Sequence, residues 1–416
     1  MTGAVGGAAK WLAPLLPTVP TLTHLDALRL RRFEEALAAQ LAAHPVGPGI
    51  EPELRGRRLA LIRRELARTG QLALAVPVGD GGAGHPPVVQ ELMQFICGYL
   101  DADLRDATGL GHGRLIARHA SPPARARWLP QLLAGGLPGI AITEPHGGSQ
   151  VHATATTAAP HRDGRWRLSG TKTWISRLEE ASVFIVFFND PAGRLSAGIV
   201  DASADGLSRQ AVRPSGLAGW SWGELRLREV PLCAQDILGH PGQGMELLRE
   251  HFAHYRPLVT ATALGAAAAV SDHVTRHLCS RQSAGLITDL RDNALITVGR
   301  SYAQINAALL ATLTAQRLSE AGDRMASMWG CATKALGVDV AHSAASELAL
   351  LTGASGFAAG SPLAKALGDL SALQFADGIH DSLYRAVGRA LTSPGPGGVH
   401  SGSAGLTASA DRAAAL

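Results

Sequence analysis

Two short stretches near the middle of the chain combine residue types that suit a nucleotide ligand with a flat head. Residues 143–149 read TEPHGGS after an apolar run, and residues 170–176 read GTKTWIS within a β-prone segment. Glycines let backbone N–H groups approach an anion, hydroxyls add donors, and an aromatic side chain suits a planar ring. Alternation along a strand would place Trp174 and Ser176 on one face. The plainer alternative is a β-domain loop followed by a core tryptophan.

These stretches resemble the two flavin-contacting signatures of the acyl-CoA dehydrogenase family, the TEP-x-x-GS loop and the K-x-W-I-[ST] strand. Further family-like segments follow in the expected order at residues 76–84, 238–244 and 353–357, so that the resemblance covers roughly residues 25–392. It implies a flavoprotein with an N-terminal helical domain, a middle β-domain and a C-terminal helical bundle, a fold that usually assembles as a homotetramer.

The resemblance also implies how FAD would be held. Trp174 would pack beside the isoalloxazine ring, and the Ser176 hydroxyl would reach the flavin N5 region. Main-chain groups near Ile142, together with Thr143 and Ser149, would bind the flavin pyrimidine edge and the pyrophosphate. The cofactor would supply the hydride chemistry, while the protein positions it.

The contacts that the family makes with the adenosine half of FAD are less complete. Arg281 is kept and would reach the pyrophosphate in a neighbouring subunit, but Ala284 replaces the phenylalanine of the family's R-x-x-F-G. Gly353 remains in the segment that matches Q-x-x-G-G-x-G, whereas Leu350 replaces the glutamine and Ile379 replaces a threonine near the end of the chain. We therefore predict FAD as the cofactor, with a weakly specified adenine end.

The family takes its catalytic base from a loop near the end of the chain, and the matching residue is Asp377 in place of glutamate. This base would remove the Cα proton of a thioester while the flavin accepts the Cβ hydride. An apolar pocket would raise the pKa of the carboxyl toward neutrality, which suits a weakly acidic C–H. The side chain is one methylene shorter, and misplacement on that scale can lower a rate about a hundredfold. The alternative is that Asp377 caps the final helix.

Some relatives carry the base on the first bundle helix, where this chain has Tyr255 and Arg256. A phenol with a pKa of about 10 is a poor base at neutral pH. Tyr255 and Arg256 are therefore predicted to line the substrate site, Arg256 in a structural or thioester-side role. His380 would form a proton relay with Asp377 only if one helix included both residues.

The composition predicts a mainly helical protein with a central β-domain. The 416 residues are 46% hydrophobic and include many Ala and Gly, and the Ala-rich stretches favour helices. Periodicity and turn signals predict a domain order that we list by residue number: a flexible N-terminus (1–22), an N-terminal all-helical domain (23–138), a middle β-barrel domain (139–243), a C-terminal four-helix bundle (244–392) and a disordered tail (393–416).

Several functional classes receive no support from the sequence. The net charge of +4 is small and the basic residues are scattered, so we predict no nucleic-acid partner. The four cysteines are far apart, which is typical of reduced thiols in a cytoplasmic protein. His273 and His277 have ligand-like spacing without further ligands, so we predict no metal. The apolar run at residues 11–17 is too short for a signal-peptide core or a membrane span.

The leading hypothesis is a flavin-dependent dehydrogenase that forms a Cα=Cβ bond in an acyl-CoA or acyl-carrier-protein thioester. An electron-transfer flavoprotein or another acceptor would take the electrons, and the chain would form a homodimer or homotetramer. The altered base loop suggests a specialised relative in secondary metabolism. Two alternatives stay open: a flavin monooxygenase on the same fold, which needs no glutamate, and a catalytically degenerate subunit of a hetero-oligomer.

Overall fold

The computed structural model of the protein describes residues 7–19, 21–47, 49–358 and 360–393. The first part of the chain is helical, and two 3-10 turns connect α4 to α5. Its helices are α1 (Ala9–Leu12), α2 (His24–Ala43), α3 (Pro52–Arg68), α4 (Pro87–Leu100), α5 (Arg114–His119) and α6 (Pro122–Leu133). Helix α2 begins at a capping box in which Thr23 and Asp26 exchange side-chain and backbone hydrogen bonds.

The N-terminal segment differs from its prediction as a flexible tail to residue 22. Trp11 and Leu12 are buried, and the Trp11 indole N–H donates to the Asp272 carboxylate at 3.2 Å. Lys10 also pairs with Asp272. Because this segment buries apolar side chains against the C-terminal helices, the prediction is corrected for residues 7–19. Residues 1–6 and 20 lie outside the described residues.

The middle domain, predicted as a small β-barrel, is one seven-stranded sheet. Its strands are β1 (Leu137–Ala141), β2 (Thr157–Pro160), β3 (Trp166–Ser176), β4 (Ala181–Asn189), β5 (Leu195–Asp201), β6 (Leu207–Val212) and β7 (Trp222–Leu232). The strand order is β1-β4-β2-β3-β7-β6, and β5 pairs with β4. Strand β3 runs antiparallel to β7, with register shifts at residues 168–170 and 172–175.

The C-terminal part is a bundle whose predicted fourth helix is divided. Its helices are α7 (Gly244–Ser283), α8 (Asp292–Glu320), α9 (Ala326–Leu350), α10 (Pro362–Leu373) and α11 (His380–Thr392). Residues 374–379 form a loop, within which Asp377 and Gly378 have positive φ angles of 57° and 114°. Left-handed residues cannot continue a right-handed helix, so this loop separates α10 from α11. The predicted tail lies outside the described residues after Ser393.

Helix α7 is the central element because it packs against both the N-terminal helices and the rest of the bundle. Glycines let α4 and α7 approach closely: a Cβ on Gly98 would lie 1.9 Å from the Thr262 carbonyl oxygen, and one on Gly265 would lie 2.0 Å from that of Phe95. The fold class predicted from the sequence, mainly helical with a central β-domain, is confirmed. None of the helices described is long and apolar enough to cross a membrane.

Candidate functional site

A buried ion pair fixes the 143–149 loop to the sheet. Glu144 is 4% exposed and Lys172, on β3, is completely buried. The Lys172 ammonium donates to the Glu144 carboxylate at 2.7 Å and to the Ile142 carbonyl at 3.0 Å. Glu144 also accepts hydrogen bonds from Ala155 N–H and from the N–H and hydroxyl of Thr156. This pair holds the loop against the sheet. The side of the loop that faces away from the sheet remains exposed.

Trp174 projects from a bulge in β3 next to this loop. It has a φ of 56°, which is rare for a large side chain, and its side chain is 60% exposed. The Thr173 N–H donates to the Thr143 carbonyl at 2.8 Å, so loop and strand form one surface. Ile175 is buried while Ser176, at the end of β3, is only partly covered. Lys172 and Ile175, three residues apart, are both buried, so the bulge interrupts the regular alternation from which a shared face for Trp174 and Ser176 was predicted.

The exposed side of the loop meets the start of α11. The Ser382 hydroxyl donates to the Ser149 hydroxyl at 3.1 Å. Ile142 and Thr143 are half-buried and Ser149 is exposed, with the Ile142 carbonyl already occupied by Lys172. The structure thus brings the two motif stretches to the part of the bundle that contains Asp377.

Asp377 does not cap the final helix. The residue before α11 is Ile379, which makes no side-chain capping hydrogen bond, and Asp377 lies two residues earlier in the left-handed conformation. The alternative in which Asp377 is an N-cap is therefore wrong. His380 pairs instead with Asp339, through Nδ1 at 2.8 Å, so the structure does not form the His380–Asp377 relay.

Two buried cations hold the backbone of the 374–379 loop. Arg256 Nε donates to the Asp377 carbonyl at 3.1 Å, and its Nη1 lies 3.1 Å from the Cys331 sulfur. Lys334, on α9, donates to the Gly378 carbonyl at 2.8 Å. Both donors reach carbonyls of residues with positive φ, so they stabilise a backbone conformation that is otherwise unfavourable. Arg256 therefore supports the loop, and its place in the substrate site stays a prediction.

The electrostatic surroundings shift the pKa of Asp377 in two opposite directions. Burial raises the pKa of its carboxyl, while the nearby cations of Lys334, Arg105, Arg177 and Arg256 oppose that shift. Burial also lowers the pKa of Lys334 to about 7, although the negative charge of Asp377 opposes this. The two groups thus interact, and each favours the charged form of the other.

Tyr255 lies on α7 within a buried aromatic group. Its ring stacks on His251 with centroids 5.2 Å apart and lies 4.5 Å from the His112 ring. His112 Nδ1 and His251 Nε2 are 2.9 Å apart. Burial lowers the pKa of His251 to about 3 and that of His112 well below its ordinary value, so both imidazoles are neutral at pH 7. Burial raises the pKa of Tyr255, which leaves it a neutral phenol.

A buried ion pair lies beside this aromatic group. Arg177 directly follows Ser176, is 2% exposed and donates through Nη1 to the Asp106 carboxylate. Arg105 and Arg63 surround the same aspartate: Arg105 Nε lies 3.8 Å from its Oδ2, and Arg63 donates to its main-chain carbonyl. The charge of Arg177 affects the pKa of Tyr255 as well as that of Asp377, so all three lie in one neighbourhood.

Comparison with known proteins identifies the family of the chain. The model of the acyl-CoA dehydrogenase middle domain matches residues 139–230, and that of the acyl-CoA dehydrogenase C-terminal domain matches residues 242–392, together more than half of the chain. The chain belongs to the acyl-CoA dehydrogenase family.

Individual members of the family are distant relatives. Mitochondrial isovaleryl-CoA dehydrogenase of Pongo abelii is 26% identical over 61% of this chain and 63% of its own length. A probable short/branched chain specific acyl-CoA dehydrogenase of Dictyostelium discoideum is 31% identical over 50% of this chain and 51% of its own length. The chain therefore spans between about half and two thirds of these relatives. A glutaryl-CoA dehydrogenase from Mycobacterium smegmatis in complex with FADH2 shares the fold, with a TM-score of 0.79, 21% identity, and coverage of 91% of this chain and 97% of that chain.

The surface around Trp174 fits the flat cofactor that the acyl-CoA dehydrogenase fold implies. A large aromatic ring is held largely exposed by a bulge, beside a loop in which Gly147 leaves open space. A Cβ built on Gly147 would meet no atom within 4 Å. The Glu144–Lys172 pair joins the loop to the strand that carries Trp174.

Arg281 and Gly353 lie outside this neighbourhood. Arg281 is exposed in the last turn of α7, about 37 Å along the helix from Arg256 at 1.5 Å per residue. Gly353 is exposed at the start of the 3-10 turn after α9, with a φ of 61° and open space where a Cβ would point. Their contacts with a cofactor therefore stay predictions that require a second subunit.

Sequence reasoning did not find Lys334, the Glu144–Lys172 pair or Arg177. One signal was available for Lys172, which is a cation at a position where alternation along β3 predicts burial. Arg177 is adjacent to the recognised motif, yet nothing local indicates that it is buried. Lys334 lies among alanines on α9, and only the tertiary structure shows that it reaches Gly378.

Proposed function

We propose that this chain catalyses the α,β-dehydrogenation of an acyl thioester with FAD as its cofactor. The observation that carries the proposal is the placement of Asp377. Its half-buried side chain, which caps no helix, lies in the loop that leads into α11, and Ser382 of that helix contacts Ser149 of the 143–149 loop. A carboxyl beside a flat cofactor surface is the arrangement that removal of a Cα proton requires.

The chain's own residues define how FAD would be held. Trp174 offers its ring face, and the Ser176 hydroxyl lies at the end of the same strand. Thr143 and Ser149 supply hydroxyls on the exposed side of the loop. When bound, FAD supplies the acceptor for the hydride that leaves Cβ.

Asp377 takes the Cα proton in this proposal. Because burial raises the pKa of its carboxyl, the carboxylate is a stronger base than an exposed aspartate. Arg256 and Lys334 fix the carbonyls of Asp377 and Gly378, which limits the positions that the short side chain can adopt. The fixed backbone thus compensates in part for the shorter reach of aspartate compared with glutamate.

The same site supports further proposals about the partners of the chain. The thioester carrier is CoA or an acyl carrier protein, and an electron-transfer flavoprotein or a similar acceptor reoxidises the cofactor. The distance of Arg281 from the site supports a homodimer or homotetramer in which that arginine serves a neighbouring subunit. We place the enzyme in the cytoplasm and in secondary metabolism, which fits the departure from the family's catalytic glutamate.

The test is anaerobic reduction of the bound flavin by acyl-CoA and acyl-carrier-protein thioesters, followed by visible absorption. Asp377→Asn is expected to slow the reduction by a factor of about 10²–10⁴, since this is the usual contribution of a positioned base. Asp381→Asn is the matched control, because Asp381 is exposed in the first turn of α11 and is expected to leave the rate unchanged.

Each alternative gives a different result. Bleaching at the wild-type rate in Asp377→Asn would remove Asp377 from the mechanism. A monooxygenase would instead form product only with oxygen and an external supply of reduced flavin. A degenerate subunit would be colourless alone and would gain flavin only with a partner chain.

A further inference from the structure

The Asp339 carboxylate, on α9, binds both ends of the loop that carries Asp377. His380, the first residue of α11, donates through Nδ1 to Asp339 Oδ1 at 2.8 Å. Gln374, the residue that follows α10, donates through Nε2 to the same oxygen at 3.4 Å. The Tyr384 hydroxyl, one turn into α11, donates to Oδ2 at 3.4 Å. One carboxylate thus joins the end of α10 to the start of α11.

The middle of the same loop is held separately. Arg256, on α7, and Lys334, also on α9, donate to the carbonyls of Asp377 and Gly378. Those two bonds fix the backbone at the proposed base, but they do not reach the helix ends from which the loop leaves. Asp339 supplies these further anchors. The loop is therefore held by side chains both at its ends and in its middle.

His380 is oriented by Asp339. Its side chain is 11% exposed, and its Nε2 is buried with no hydrogen-bond partner in the part of the chain that the structure describes. Because an ionised carboxylate only accepts hydrogen bonds, Nδ1 carries the proton that is shared with Asp339. The same helix presents Ser382, whose hydroxyl donates to Ser149 of the 143–149 loop. The bond to Asp339 therefore also fixes the start of α11 relative to the proposed cofactor surface.

The short side chain of Asp377 makes this anchoring relevant to catalysis. An aspartate has two side-chain torsions, so the position of its carboxyl follows the backbone closely. A displacement of about 1 Å at the reacting atoms can lower a rate about a hundredfold. Asp339 itself is 41% exposed, and pairs with this exposure contribute little to global stability. Its effect on the position of the loop is thus separable from an effect on folding.

We propose that Asp339 is a positioning residue for proton removal, because it holds both ends of the 374–379 loop and so keeps Asp377 in one position relative to the 143–149 loop. The inference rests on the proposed function for the identity of the base. Asp339 acts through Gln374 and His380, at the two ends of the loop.

Hydrogen–deuterium exchange of the holoenzyme tests whether Asp339 orders the loop. Asp339→Ala removes both acceptor oxygens, whereas Asp339→Asn keeps one carbonyl oxygen that can accept from His380. In peptides that cover residues 374–383, we expect exchange about 10-fold faster in Asp339→Ala and an intermediate rate in Asp339→Asn. Glu347→Ala is the matched control, because Glu347 also lies on α9 but forms an exposed pair with Arg300 on α8. Exchange in Asp339→Ala equal to that of the wild type would overturn the proposal.

Proton removal is measured with 3-thiaoctanoyl-CoA and the corresponding pantetheine thioester, each with shorter and longer homologues. Sulfur replaces Cβ in these probes, so the Cα proton can be lost but no hydride can follow. Asp377 would take the proton, and the electron pair would stay on the thioester as an enolate, which gives a long-wavelength charge-transfer band beside an oxidised flavin. We expect this band to form about 10- to 100-fold more slowly in Asp339→Ala, with little change in the Kd of the probe, and Asp339→Asn to recover most of the rate.

The outcomes separate this inference from the proposed function. Faster loop exchange together with band formation at the wild-type rate would overturn the positioning role. An equal loss of rate in Glu347→Ala would assign the effect to general stability of the bundle and would overturn it as well. A wild-type protein that forms no band, or a band unaffected by Asp377→Asn, would refute Asp377 as the base, while the exchange measurement would still report whether Asp339 orders the loop.

Discussion

Replacing Lys172 with methionine would test whether the Glu144–Lys172 pair holds the proposed cofactor surface. The substitution keeps the length and the apolar character of the side chain but removes the ammonium. Glu144 would remain 4% exposed as a buried carboxylate without its cation. Breaking a buried pair in this way typically costs about 3–5 kcal/mol, because one charge is left uncompensated.

The pKa of Glu144 gives a second, independent value for the free energy that its interactions contribute to folding. Burial opposes ionisation, but hydrogen bonds from Lys172, Thr156 and main-chain N–H groups lower the pKa from 4.5 to about 2. At about 1.36 kcal/mol per pH unit, this corresponds to about 3 kcal/mol. Since the folded-state pKa is the lower one, that stability is present above pH 4.5 and is lost as the pH falls toward 2. Burial lowers the pKa of Lys172, so desolvation of the ammonium offsets part of the gain.

The assay is thermal unfolding at pH 7 by circular dichroism, with flavin content measured in parallel. For 416 residues that unfold as one unit, 3 kcal/mol corresponds to a decrease in Tm of about 3–4 °C. The double variant Glu144→Gln/Lys172→Met should be less destabilised than Lys172→Met, since it leaves no unpaired charge. Arg68→Met, which breaks an exposed pair with Glu65, is the control and should change Tm by less than about 1 °C. A Tm for Lys172→Met equal to that of this control would refute the reasoning.

The remaining predictions concern the base and the flat cofactor surface. The rate of flavin reduction should rise with pH through the raised pKa of Asp377, because only the carboxylate accepts a proton. Lys334→Met removes a cation that lowers this pKa, so the midpoint of the pH profile should move to higher pH, and an unchanged midpoint would contradict the assignment. Trp174→Ala and Trp174→Gly should each raise the Kd of FAD about tenfold through loss of ring contact, measured by fluorescence titration. The glycine variant should melt no lower than the alanine variant, since glycine readily adopts a φ of 56°; equal FAD affinity in all three proteins would contradict the role of the ring.

Local patterns predicted those features that depend on neighbouring residues. Helix α4 begins at Pro87 and ends at Leu100, as its apolar run between turn signals predicts. Periodicity alone did not predict the division of the last helix, because the Leu- and Ala-rich residues 362–391 suit a continuous helix, although the resemblance placed a base loop at Asp377. The positive φ angles of Asp377 and Gly378 result from tertiary contacts with Arg256 and Lys334, which no local pattern encodes.

The candidate site was likewise predictable only where its residues belong to short local motifs. The loop and strand motifs located Trp174, Ser176 and Asp377, because each belongs to a short segment of recognisable composition. The chemistry of the pocket around them was not predictable. Arg177 and Asp106 are 71 residues apart in the chain, and their pairing depends on how the sheet docks on the N-terminal helices.

Buried charges at the domain junctions explain why the site exists only in the assembled fold. The Lys365 ammonium, on α10, lies between the carboxylates of Asp101 and Asp103 from the first domain and that of Asp369. It occupies the centre of this acidic cluster, a position that a metal ion would otherwise need. Lys365 therefore joins the bundle to the first domain, as Arg177 joins the sheet to that domain.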